Sequence, residues 1–159
     1  MKNYDAALAD LDKALEADPQ FTVALMARGA AKIAGAIAEE TSASASDTPG
    51  SDMALLAARK AQAAASAAIA DFDAALALNP RLIYAWFNKG NIYYSLDDFT
   101  SALQCFSEAI SINPEFGQAY FNRGLTYLRI GNKHQAFADL SKAGELGVLP
   151  SYNLLKRMK

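Results

Sequence analysis

The feature that most constrains this 159-residue chain is a segment that returns after 34 residues. Ala85-Trp86-Phe87-Asn88-Lys89-Gly90 recurs as Ala119-Tyr120-Phe121-Asn122-Arg123-Gly124, and Pro80 recurs as Pro114. Within the first copy Trp86, Gly90 and Tyr93 share one helical stripe. Phe99, Ala102, Phe106 and Ala109 share another after the polar break Ser95-Leu96-Asp97-Asp98. Two short helices with one apolar stripe each must bury those stripes on one another, and a fixed period stacks such pairs along the chain.

The pattern Trp-x-x-x-Gly-x-x-Tyr, then Ala-x-x-x-Phe, then Pro, at this period resembles the tetratricopeptide repeat family. The resemblance implies an all-α, right-handed α-α superhelix of about three and a half helix pairs closed by a C-terminal capping helix. It also implies a protein-binding scaffold rather than an enzyme. Lys89 and Arg123 stand where the family pattern often has Leu, so that site is expected to face water.

Read in order, residues 1–19 form a half repeat, a second helix without its first. Leu11 to Pro19 aligns with Phe72 to Pro80 and with Phe106 to Pro114, and Tyr4, Ala7, Leu11 and Ala14 make its stripe. Either the chain is a piece of a longer bacterial-type array, or something else covers that end. Residues 20–80 form a repeat with Leu25, Gly29 and Lys32 in the places of Trp86, Gly90 and Tyr93. Its closing proline lies 61 residues after Pro19, so 27 residues are inserted, around 37–62. The insertion centres on the Ser-rich stretch Thr41 to Asp52, with a Pro-Gly break that reads as an exposed loop, and Ser51 or Asp52 is the N-cap candidate after it. Both helices of this repeat are expected to overrun their usual ends by about two turns. Repeats 81–114 and 115–148 follow, then a capping helix over 150–159, all within a single domain.

Composition narrows the function classes. Hydrophobic residues make up 52% of the chain, ample for burial, and the net charge of −2 gives no general attraction to phosphate or anionic lipid. Nucleic-acid and membrane partners are therefore not expected. The one basic cluster, Lys156, Arg157 and Lys159, sits in the last turn of a predicted helix, where the dipole favours cations. No run of eighteen apolar residues and no signal-peptide core occurs, and nothing in the sequence points to a compartment. Cys105 is the only cysteine, read as a small apolar residue, and His134 is the only histidine, in a polar run. Neither has a second ligand at metal spacing. Asp97-Asp98 reads as a turn cap, and Asp71 and Asp73 flank core Phe72. No catalytic, cofactor or metal constellation is expected.

What remains is a second stripe on the first helices. Tyr84, Phe87, Asn88, Asn91 and Tyr94 form a rich face, continued in the next unit by Gln118, Phe121, Asn122, Leu125, Leu128 and Arg129. In the resembled family first helices line the concave surface, so this stripe becomes the expected groove for a peptide segment or partner helix. Phe87 and Phe121 alternatively pack between neighbouring first helices. Asn88 and Asn122, one repeat apart, each offer a donor and an acceptor to an extended backbone, or bond to a neighbouring helix. Receptors of this family that grip a C-terminal carboxylate place Lys and Arg where this chain has Met26, Ala30, Phe87 and Gln118, which argues against that ligand. The alternative function is architectural: a self-associating module, a weak homodimer, working through an N-terminal edge where Tyr4 and Leu8 are expected to be open to solvent.

Overall fold

A computed structural model of the chain describes residues 4–43 and 52–158, with side chains at 4–39 and 55–158. Every regular element among them is an α-helix, and the fold class is an all-α helical repeat. The chain divides into two compact units, Met1–Pro80 and Arg81–Lys159.

The first unit holds α1 (Tyr4–Ala17), α2 (Thr22–Ala43) and α3 (Asp52–Leu78). Its core is built from Leu15, Ala24, Leu25, Ala65, Ala68, Phe72, Ala75 and Leu76, all buried. Small residues set how closely α2 and α3 approach: a Cβ added at Gly29 would lie 3.0 Å from the Phe72 ring. α2 and α3 run 22 and 27 residues, against 13 or 14 in the full-length helices of the second unit. At 1.5 Å per residue the overruns come to roughly 13 and 20 Å, more than the two turns read from the sequence. The Glu39–Lys60 ion pair, at 3.7 Å, links the two overrunning segments. Of the loop expected over Thr41–Asp52, Thr41–Ala43 instead continue α2 and Asp52 already opens α3, while residues 44–51, with the Ser51 cap candidate, lie outside the described residues.

Two sequence expectations change here. Tyr4 and Leu8 are half-buried rather than open. A Cβ added at Gly35 would sit 3.5 Å from Tyr4 Cβ, and Gly35 lies just past the point where a 13-residue first helix would have stopped. The overrun of α2 therefore covers the start of α1. Leu55–Leu78 of α3 is also long and apolar enough to cross a membrane, by length and composition alone, with a mean hydropathy of 1.2. A search for unbroken apolar runs misses it because Arg59, Lys60, Gln62, Ser66, Asp71 and Asp73 interrupt the run, while alanine and leucine keep the average high. A helix packed into a core passes the same test, and here Ala68, Phe72 and Ala75 are buried within this unit's core.

The second unit holds α4 (Ile83–Ser95), α5 (Phe99–Ile112), α6 (Gly117–Arg129), α7 (Lys133–Glu145) and α8 (Pro150–Met158), each packed on the next. Asp98 and Asn132 cap α5 and α7 by accepting from the backbone N–H groups of Ser101 and Gln135, at 3.1 and 3.2 Å. The Ser101 hydroxyl also donates to Asp98, and these bonds hold its carboxyl below the usual range. The turns before these caps need a left-handed residue, supplied by Asp97 (φ 57°) and Gly131 (φ 79°), one period apart. Phe106 and Leu140 fill equivalent places, each closed over by a first-helix glycine. A Cβ at Gly90 would come within 2.6 Å of Phe106, and one at Gly124 within 3.0 Å of Leu140.

Candidate functional site

The stripe read as a groove lies on α4 and α6 of the second unit. Tyr84 is 65% exposed, with its ring edge-on to Phe116 at 5.6 Å. Phe87 is half-buried: its ring packs against Phe106 at 5.9 Å and Phe116 at 4.9 Å, beside a core of Ala109, Ile110 and Ala119. Its first task is thus packing. Phe121 and Leu125 are likewise half-buried, and Gln118 is exposed.

The asparagines are brought together across the two helices. Asn122 Nδ2 donates to Asn91 Oδ1 at 2.6 Å, and Asn88 lies one turn before Asn91 on α4. One donor and one acceptor are engaged in that bond. Asn122 Oδ1 and the Asn91 side-chain NH2 keep bonding capacity, held in place by a contact that fixes both side chains.

Beyond the asparagines the stripe ends in an aromatic and cationic cluster. The Tyr94 ring meets Phe99 at 5.9 Å, and the Arg129 guanidinium lies over both rings, at 5.6 and 4.9 Å. Arg129 also pairs with Asp97 at 2.7 Å. Hydrogen bonding with Tyr94, followed by the charge of Asp97, raises the Arg129 pKa above its ordinary value. Tyr94 and Arg129 thereby tie the α4–α5 turn to the end of α6 as well as bordering the stripe.

A second polar feature was missed from sequence. Lys89 and Arg123, expected in water, are enclosed: Lys89 is 8% exposed, with its ammonium 5.1 Å from the centre of the Trp86 ring. Arg123 makes a forked pair with buried Asp139, at 2.7 and 2.8 Å, and donates to the Ser107 hydroxyl at 3.0 Å. In the first unit Arg28 repeats this arrangement, bonding Asp71 at 2.7 Å and Asp12 at 2.7 Å, while Lys32 adds a second cation on Asp71 at 2.7 Å. The hydrogen bonds that the guanidinium groups donate to the carboxylates, Asp71 for Arg28 and Asp139 for Arg123 first, raise the pKa of both arginines. The signal was present in the columns. Arg28, Lys89 and Arg123 each precede a repeat glycine, while Asp71 and Asp139 each precede the core side chain that packs on it.

A cleft of about 410 Å³ in the first unit is lined by Asp12, Leu15, Glu16, Pro19, Leu25 and Arg28. Its charged groups are partly used in the ion pairs just described. Among the described residues no three His, Cys, Asp or Glu side chains converge as a metal site would require. Cys105 is buried and His134 exposed.

Family models described as tetratricopeptide repeat match residues 83–116, 105–138 and 1–21. Among solved structures, a double mutant of MamA superposes with a TM-score of 0.73 at 18% identity, over 98% of this chain and 73% of that one. Pseudomonas aeruginosa pilF gives 0.64 at 24% identity, over 91% of this chain and 54% of that one. The Arabidopsis OM64 TPR domain gives 0.57 at 19%, over 80% and 97%. At these identities the likeness is one of fold. No curated protein matches the sequence.

Proposed function

The chain belongs to the tetratricopeptide repeat family, whose members are protein-interaction scaffolds and typically not enzymes, and on that premise we propose that the α4/α6 face binds an extended peptide segment. The observation that carries this reading is the Asn91–Asn122 amide pair, flanked by exposed Tyr84 on one side and the Tyr94–Arg129 stack on the other. Fixed amides can bond a peptide backbone in any sequence, and aromatic rings beside them take apolar side chains. Peptides selected from a randomised displayed library should bind the purified protein. The Asn91→Ala, Asn122→Ala double variant should weaken all of them alike, by about 0.5 to 1.5 kcal/mol per net hydrogen bond lost. Loss confined to one peptide sequence, or none, would move the site elsewhere.

A second reading, self-association through α1, is favoured by one observation. Leu15 is the only buried residue of α1, whereas α5 and α7 each bury five. Its stripe, with Tyr4 beside Gly35 of α2 and Leu8 half-buried, retains apolar surface that a further helix would bury.

A further inference from the structure

We propose that Arg129 reads an acidic side chain of the bound segment, so that the α4/α6 face takes a peptide with an Asp or Glu about three residues from the one held by the Asn91–Asn122 pair. Resting on the peptide-binding reading above, this assignment supplies the partner's chemistry. Arg129 is the only charged residue of the stripe, so a partner's charge is met at one place on it. It follows Asn122 by two turns of α6, roughly 10 Å, and an extended peptide covers that distance in about three residues.

The guanidinium is held in place but not used up. Nη2 donates to Asp97 at 2.7 Å, hydrogen bonding with Tyr94 takes another N–H, and the group lies over the Tyr94 and Phe99 rings. A guanidinium has about five N–H donors in all, so donors remain, and the side chain is still 49% exposed. Arg28 shows in this same chain that one guanidinium holds two carboxylates at once, Asp71 and Asp12, each at 2.7 Å. Asp97 therefore positions Arg129 without saturating it.

The repeat does not need this cluster in order to turn. One period on, Leu128, Gly131 and Lys133 stand in the places of Tyr94, Asp97 and Phe99, and the α6–α7 turn still forms, with left-handed Gly131 before the capping Asn132. Asp97 takes the left-handed conformation that glycine takes without steric cost, and what its side chain adds over glycine is the bond to Arg129. A planar fork fixed in this way suits a carboxylate, which accepts two parallel N–H bonds.

The test uses the full chain and peptides selected on it from a randomised displayed library, synthesised with both ends blocked so that their only carboxylates are side chains. Fluorescence anisotropy gives their affinities for wild type, Arg129→Gln and Arg129→Glu. The selected peptides should share an Asp or Glu. Arg129→Gln should weaken them by about tenfold to a hundredfold, the scale of a hydrogen bond to a charged group. That loss should vanish against the same peptide with its acid replaced by the amide. A Lys at that peptide position should restore binding to Arg129→Glu. If Arg129 only braces the turn, its replacement weakens acid and amide peptides alike, and that result overturns the proposal. Selected peptides without a shared acid, or peptides that bind only with a free C-terminus, overturn it as well. The Asn91→Ala, Asn122→Ala variant separates the two readings. If it weakens every peptide while Arg129→Gln weakens none, the groove stands and Arg129 is not its charge reader. Peptides indifferent to both changes reject the groove and this inference together.

Discussion

The α2–α3 pair and the α6–α7 pair are versions of one repeat that differ by nearly a factor of two in length. Both close a glycine over a large core side chain, Gly29 on Phe72 and Gly124 on Leu140, and both pin an arginine to a buried aspartate one residue before that side chain. Beyond these positions α2 and α3 run on, while α6 and α7 stop after 13 residues. The shared positions define the repeat, and helix length outside them is free to vary. The extra length has one use that the structure shows: it brings Gly35 against Tyr4.

This comparison is broken most sharply at the core. Phe72→Ala and Phe106→Ala remove fully buried rings from equivalent places, and each should cost about 3 to 5 kcal/mol in denaturant unfolding. A cost below about 1 kcal/mol at either site would mean that its repeat is not held at the glycine contact.

The ion pairs sharpen it next. Asp139→Asn leaves Arg123, whose side chain is only 19% exposed, with the neutral Ser107 as its other side-chain hydrogen-bond partner, and should cost about 2 to 3 kcal/mol. Asp71→Asn leaves Arg28 with Asp12, and Lys32, 23% exposed, can turn toward water. That change should cost about 1 to 2 kcal/mol. Chemical unfolding of the two variants side by side checks the order, and the reverse order would contradict it.

The smallest effect is expected in the arm. Excising residues 39–60, bounded by the Glu39–Lys60 pair, and joining the ends with a short Gly-Ser turn should shift stability by about 1 kcal/mol or less, since closure entropy changes slowly with loop length. A large loss in thermal unfolding would make the overrun part of the core.

How much of this was legible in the sequence depended on the range of the interaction. Helix phase and the core columns were readable because apolar spacing and the 34-residue period are local, repeated signals. Asp71 and Asp139 lie 43 and 16 residues from their arginines, so the enclosure of Arg123 appears only when columns on two helices are read as a pair. Lys89 was misjudged for a different reason: a cation read alone belongs in water, whereas its ammonium lies over the Trp86 ring one turn before it on the same helix. Tyr4 was misjudged because its cover comes from helix length, which composition permits but does not specify. Within the candidate site the two asparagines nearest each other, Asn91 and Asn122, were both in the expected stripe. Their direct bond follows from how closely α4 and α6 approach, which spacing alone leaves open.

The central claim is that the asparagine and aromatic face of α4 and α6 is where this scaffold takes its partner. Nuclear magnetic resonance titration of the isotope-labelled protein with a library-selected peptide tests it most directly. The account predicts that the largest shifts fall on the side-chain amides of Asn88, Asn91 and Asn122 and on the ring of Tyr84, with little change along α1. Shifts concentrated on Tyr4, Leu8 and their neighbours, with the asparagine amides unmoved, would contradict it.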